Sequence, residues 1–323
     1  MGRLSRREFL GAMALSAAGP WPRGSGAAAG RQGLPAGEPV IDLHQHGLYL
    51  GRTREQLLAH QAAHGVTTTV LLPGEGWMRK EVGGNAECEE TKEVYPDKFV
   101  RFASSDPAES RTADVLRGNV SRGAIGFGEL KYHVAVDSPE MHAVYKLADE
   151  LGVPVLLHFE FEMYNTGLER FDRVLKEFPQ VNFIGHAQTW WANISAEGNP
   201  QVMYPEGRVM PGGLTDRLLG DYSNMYGDLS AYSGLNALTR DPDFTRQFLA
   251  RHSHKLLWGS DCECHDGQGG GSTRGYCLAE RSLSALRTHL HDSPALRRVL
   301  YQNAAALLRL PRPARVAHPA EKG

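Results

Sequence analysis

Residues 39–46 read Pro39-Val40-Ile41-Asp42-Leu43-His44-Gln45-His46, an apolar, β-branched run that turns polar at its end. Such a run reads as a strand. Strand side chains point alternately to opposite faces, so His44 and His46, two residues apart, share a face at the carboxyl end. Two imidazoles placed that way can share one metal ion, although histidines at strand ends are also often held by hydrogen bonds alone. The rest of the chain has to decide.

Similar short runs recur at 66–72, 99–103, 124–130, 153–159, 182–186, 225–229 and 255–260, giving eight strands with the first at 39–44. Helical patterns fill the gaps. Ser138-Pro139 sets a capping hydroxyl and an N1 proline before the stripe Met141, Val144, Tyr145, Ala148 and Leu151, the spacing of a helix with one apolar face. Leu168, Phe171, Leu175 and Phe178 repeat the period until Pro179, and Thr53 with Gln56 forms a capping box for the first helix. Eight β-then-α units in about 290 residues predict an α/β fold, a closed (β/α)8 TIM barrel. An open doubly wound sheet is the competitor, but no glycine-rich phosphate fingerprint follows the first strand. The connection 187–221 is too long for a simple link and predicts a long insertion after strand 6, a lid or a hairpin over the barrel mouth.

The barrel is expected over 38–310, with a short linker at 30–37 and a flexible tail at 311–323. With 41% hydrophobic and 22% charged residues, the chain can bury a large core, which excludes a disordered protein. Lys plus Arg number 35 and Asp plus Glu 37, so no basic excess recruits nucleic acid. The longest apolar stretch, 9–20, is shorter than the roughly 20 residues of a membrane-spanning helix. It follows Ser5-Arg6-Arg7-Glu8-Phe9-Leu10 and leads to Ala27-Ala28-Ala29, the order of a twin-arginine signal peptide over 1–29 rather than of an amphipathic surface helix. The mature protein is therefore expected in the periplasm or outside the cell, delivered by the twin-arginine export machinery.

Polar groups close the later strands: Glu129 and Lys131 after the fourth, His158 after the fifth, His186 after the sixth and Asp261 after the eighth. Burying each alone would cost several kcal/mol. A shared divalent cation satisfies them together, and nitrogen and carboxylate donors without an obligatory thiolate suit zinc, or else manganese, iron or cobalt. Such an ion makes its water acidic enough to serve as nucleophile. Asp261 is the expected proton acceptor, and His186 the group that stabilises the oxyanion or returns the proton. Lys131 reads either as a salt-bridge partner of Glu129 or as a cation for a substrate carboxylate. Tyr164 and Asn165, Trp190 with Trp191, and Tyr232 are expected to ring the mouth against a small-molecule substrate, though the tryptophans can equally anchor the long loop. Asp228 reads as a barrel hydrogen bond or a substrate contact, and Arg52 and Arg170 as carboxylate binders or solvated helix residues. Cys262-x-Cys264-His265 lacks a four-ligand zinc spacing, so a Cys264–Cys277 disulfide is the preferred reading. Cys88 stays unassigned.

The His-x-His strand, His158, His186 and Gly259-Ser260-Asp261 together resemble the amidohydrolase superfamily, specifically its amidohydrolase-related branch, from about Pro39 to Tyr301-Gln302-Asn303-Ala304-Ala305. The resemblance implies a metal-dependent hydrolase or decarboxylase barrel, with His44, His46, His158 and Asp261 as ligands and His186 beside them. Two-metal members carry a bridging carboxylate or carboxylated lysine near the fourth strand. Here one tight metal is the expectation; with a second ion, Glu129 would bridge and His158 and His186 would hold it. The expected reaction is hydrolysis of a lactone, ester or amide of a small organic acid. Non-oxidative decarboxylation is the alternative, and a catalytically silent metal- or ligand-binding barrel is the alternative from another class. Oligomeric state is left open.

Overall fold

The computed structural model describes residues 38–199 and 201–311. Eight strands appear in chain order, β1 Ile41–Gln45, β2 Thr68–Leu71, β3 Phe99–Ala103, β4 Ala124–Leu130, β5 Val155–His158, β6 Phe183–His186, β7 Met225–Asp228 and β8 Leu256–Leu257. Each pairs in parallel with the next. Leu43 N donates to Trp258 O at 3.1 Å, which brings the last strand back to the first. The protein is a (β/α)8 TIM barrel. Its outer helices are α1 Arg54–Ala63, α2 Asn85–Val94, α3 Thr112–Ser121, α4 Pro139–Leu151, α5 Phe171–Glu177, α6 Leu214–Asp221, α7 Pro242–His252 and α8 Leu278–Leu290.

The capping signals act as read: Thr53 and Gln56 exchange both bonds of a capping box, and Ser138 caps α4 with Pro139 at N1. The α4 stripe buries Met141, Val144, Tyr145 and Ala148. Strands β3 and β4 run over the residues expected. The eighth is shorter than 255–260, because its backbone leaves the ladder. Trp258 N donates to Val299 O at 3.0 Å, and Ser260 N to the Asp42 carboxylate at 2.8 Å.

Leu43, Val70, Phe102, Leu156, Ile184 and Leu257, from six different strands, form one buried cluster. Only a barrel interior brings six strands together. Strict alternation would then turn His44 away from it, but the β1–β2 register shifts between Asp42 and Gln45. That irregularity lets His44 face the barrel centre beside Leu43.

After β6 the chain forms a short helix, Gln188–Ala192, and then α6, with no strand among the described residues between them. The expected hairpin is therefore absent there. Backbone bonds tie the stretch down instead: Ala196 N donates to Met210 O at 2.8 Å, and Val209 N to the Asp241 carboxylate at 2.9 Å. Among the described residues no helix is long and apolar enough to cross a membrane. The expected signal peptide, linker and most of the tail lie outside the described residues.

Candidate active site

Three imidazoles meet above the barrel core, and each has its Nδ1 occupied. His44 Nδ1 donates to Asp228 Oδ2 at 2.7 Å, His46 Nδ1 to Leu72 O at 2.8 Å, and His186 Nδ1 to Ser230 Oγ at 3.0 Å. The Ser230 hydroxyl in turn donates a hydrogen bond to Asp228 Oδ2 at 2.9 Å. In each ring the bonded Nδ1 fixes the orientation and turns Nε2 inward, the arrangement usual for metal-ligating histidines.

The inward nitrogens face two carboxylates. His46 Nε2 lies 3.6 Å from both Glu129 Oε2 and Asp261 Oδ1, and His44 Nε2 lies 3.9 Å from the same two atoms. His186 Nε2 is 3.5 Å from Glu129 Oε1 and 4.0 Å from Asp261 Oδ2. These separations are too long for hydrogen bonds. His44 Nε2 and Asp261 Oδ1 are indeed buried without any hydrogen-bond partner, which normally costs 1–3 kcal/mol or more. A cation among them would satisfy both. Two overlapping triads, His44–His46–Asp261 and His44–Glu129–His186, offer ligand atoms that lie within 4.8 Å of one another.

The electrostatics agree with that fit. Burial lowers the basicity of His44, but Asp261 and Asp228 outweigh it and push its pKa up to about 10. A proton thus occupies the place that a cation suits. Burial and the neighbouring His44 push His46 down to about 4 and also lower His186. Burial opposes ionisation of Glu129, yet His158 and His44 hold it well below the usual range. Asp261 is raised, burial being the main cause.

His158 stands apart from both triads. Its Nδ1 lies 2.5 Å from Glu129 Oε1 and its Nε2 3.0 Å from Glu160 Oε2, so each nitrogen already faces a carboxylate. In this geometry it orients Glu129. Lys131 Nζ sits 5.2 Å from the ring centroid of Tyr164 and 5.8 Å from that of Trp77, and these two rings stack at 6.0 Å. This is a cation–aromatic patch. Tyr232 lies under Arg274 at 4.0 Å.

Two expected mouth residues are placed elsewhere. Trp190 is fully buried and stacked on Phe159 at 5.9 Å, so it belongs to the core. Asn165 gives its amide to Leu130 O and His158 O, bracing the turn after β5. Arg52 is not on a solvated face: it is buried and grips His46 O, Gln45 Oε1, Cys262 O and Cys264 O. Arg170 is held by Asp137 and Glu169.

Sequence reasoning missed Tyr49, Glu160 and Trp77. Tyr49 packs on His46 at 5.2 Å. Glu160 shares the parity of His158, two residues on, a signal that was available. Nothing in the sequence singles out Tyr49 or Trp77.

Glycine is required where the chain passes the site just beyond β8. A Cβ on Gly259 would lie 2.8 Å from His44 Cβ and 2.9 Å from Asp228 Oδ1, and the latter is backbone-braced by Ser230 N. Gly259→Ala is therefore expected to separate His44 from Asp228 and to lower both Tm and metal content, by about 1–3 kcal/mol of stability for an overpacked site. Calorimetry and elemental analysis of the variant check this; parental values in both would show that the strands yield freely.

A family model described as amidohydrolase matches residues 77–310. No curated protein matches the chain. Solved structures similar to it include an uncharacterised TIM-barrel protein, Bb4693, from Bordetella bronchiseptica, at 18% identity and TM-score 0.57, covering 84% of this chain and 98% of that one. A probable 2-pyrone-4,6-dicarboxylic acid hydrolase from Acinetobacter baumannii, with citric acid bound, is 16% identical at TM-score 0.55, covering 84% and 99%. A 2,6-dihydroxybenzoate decarboxylase from Rhizobium is also 16% identical, at TM-score 0.51 with the same coverage. Likeness at these identities speaks for the fold alone.

Proposed function

The chain belongs to the amidohydrolase family, a metal-dependent family, and from that premise we propose that it is a hydrolase acting on a lactone, ester or amide of a small organic acid. The observation that carries this reading is the convergence of His44 Nε2, His46 Nε2 and Asp261 Oδ1, two of them buried without hydrogen-bond partners. Hydrolases and decarboxylases of this fold both occur among the similar structures.

One divalent ion, zinc by preference, is proposed on His44, His46 and Asp261, with Glu129 and His186 completing its surroundings. The nitrogen and oxygen donor set equally admits manganese, iron or cobalt. A second ion beside it at the barrel mouth is not favoured, because both nitrogens of His158 already face carboxylates. When bound, such an ion supplies Lewis acidity, which acidifies water and polarises a carbonyl. Asp261 accepts the proton of the attacking water. Burial and the neighbouring His44 lower the pKa of His186, so its free Nε2, 4.0 Å from Asp261 Oδ2, takes the proton from Asp261 and hands it to the leaving group. Lys131 attracts the carboxylate of the acid, and Tyr164 with Trp77 offers rings against its apolar part.

The test is a screen of lactones, esters and amides that carry a carboxylate, run on metal-loaded enzyme with product acid and carbon dioxide both measured. Product acid without carbon dioxide is the expected result. Stoichiometric carbon dioxide from aromatic or vinylogous carboxylic acids would replace hydrolysis by decarboxylation, and no turnover of either class would leave a binding barrel.

Export by the twin-arginine route is proposed from Ser5-Arg6-Arg7-Glu8-Phe9-Leu10. Changing Arg6 and Arg7 together to Lys is expected to hold the protein in the cytoplasm on cell fractionation; unaltered export would point to another signal.

A further inference from the structure

Outside the site just described, three of the four cysteines and two histidines gather where the loop after β8 crosses α1. Cys262 and Cys264 lie just past Asp261, Cys277 caps α8, and His60 and His64 stand one turn apart on α1 and at its end. Cys262, Cys264, Cys277 and His60 are all buried. None of the cysteines is in a disulfide. Ligand atoms of His60, Cys264 and Cys277 lie within 4.8 Å of one another.

The spacings carry the argument further. Zinc bonds sulfur at about 2.3 Å and nitrogen at about 2.0–2.1 Å, so the edges of a tetrahedral site are about 3.8 Å between sulfurs and about 3.6 Å between sulfur and nitrogen. Cys262 Sγ and Cys277 Sγ are 3.8 Å apart, and Cys277 Sγ is 3.5 Å from His60 Nε2. The surroundings fit as well. Gln61 gives its amide protons to Asp42 and Thr69, at 3.0 and 2.7 Å, which leaves Oε1 to accept from His60 Nδ1 at 3.2 Å. That bond fixes the tautomer and aims the Nε2 lone pair at the sulfurs, as for a ligating histidine. Gly269 N donates to Cys264 Sγ at 3.1 Å, and His64 Nε2 lies 3.2 Å from Cys277 Sγ. The Gly269 donor favours a thiolate at Cys264, whereas Cys264 Sγ gives its own proton to Asp266 Oδ1 at 3.2 Å, so the cation has to displace that proton.

We propose that Cys262, Cys264, Cys277 and His60 bind a second, structural zinc ion, distinct from the ion at His44, His46 and Asp261. His60, Cys264 and Cys277 are already grouped, and Cys262, 3.8 Å from Cys277, shifts inward to become the fourth ligand, so that all four positions are filled by protein and the site is closed to substrate. Binding replaces the three thiol protons by one Zn2+, and the protons go to solvent. Its place in the fold gives it a purpose. Arg52 holds the carbonyls of Cys262 and Cys264 with one nitrogen and Gln45 and His46 O with the other, so an ion there would fasten both the Asp261 loop and the His-x-His strand to α1.

The test uses the full chain, purified under reductant and loaded first with zinc, then with cobalt. X-ray absorption at the zinc edge is expected to show sulfur neighbours at about 2.3 Å, and the cobalt form a thiolate-to-metal charge-transfer band. Neither signal can come from the nitrogen and oxygen donors of the first site. The pair Cys264→Ser with Cys277→Ser is expected to lose the band and one zinc equivalent, while His44→Ala with His46→Ala keeps both. Absence of sulfur neighbours in the zinc-loaded parent overturns the proposal even if the serine variant misfolds. So does a thiol titration of denatured, unreduced protein that finds two of the four thiols missing, since a cystine would then take up at least one of the three proposed sulfur ligands.

Discussion

The Asp261→Asn protein is expected to fold as the parent does and to lose about 10²- to 10⁴-fold in kcat, the usual contribution of a positioned general base. The choice of substitution matters because Asp261 sits at φ 44°, in the left-handed region where Asn is among the few side chains tolerated at little cost. Its backbone N donates to His44 O at 2.8 Å, and that bond survives. What changes is charge and basicity. An amide cannot take a proton from water, and it no longer offsets the imidazoles of His44 and His46. Circular dichroism, Tm and metal content measured with the kinetics separate the possibilities. A variant with parental structure, retained metal and undiminished kcat would remove Asp261 from the mechanism. Equal loss of metal and activity would make it chiefly a ligand, and the corresponding Ala variant, lacking a side chain suited to φ 44°, should in addition melt lower.

Eight strands were legible because each buried run is bounded by turn residues, and the barrel followed from their count and from the helical stripes between them. The eighth strand was overread: 255–260 is apolar enough for a strand, but a helix carbonyl at Val299 and the Asp42 carboxylate take the amides of Trp258 and Ser260, and composition does not show that. The site was legible in outline because polar residues ending apolar runs are conspicuous, as with His158, His186 and Asp261. Their division of labour was not. Whether an imidazole points both nitrogens at carboxylates, as His158 does, or one inward, as His44 does, depends on partners from other strands, Glu129 and Asp228. Trp190 illustrates the same limit. A tryptophan just past a strand end reads equally as a mouth platform or as core, and the ring of Phe159 decides for core. Arg52 was misread for a related reason, since the four oxygens it grips come from the end of β1 and from the loop after β8.

Joint replacement of His44 and His46 by Ala is expected to remove the ion at the barrel mouth, lowering zinc by one equivalent in elemental analysis. Two of the inward nitrogens vanish together, and perturbing even one supporting partner of a ligand commonly costs 10- to 100-fold in affinity. The loss should have a proton signature. In the metal-free parent the carboxylates of Asp261 and Asp228, overcoming burial, hold His44 protonated up to about pH 10, so metal uptake must expel that proton. His46, pushed down to about 4, is already neutral and releases none. Near neutral pH the parent is therefore expected to release about one proton per ion bound at this site, with affinity falling as the pH is lowered because protons then compete better for His44. Isothermal titration in buffers of different ionisation enthalpy measures the proton directly. In the double variant that release should vanish, and Asp228, stripped of its 2.7 Å partner, should become a weaker acid. Any zinc that the variant keeps must then sit on sulfur, so retention of the full parental complement with no sulfur neighbours at the zinc edge would refute the assignment of His44 and His46 as ligands.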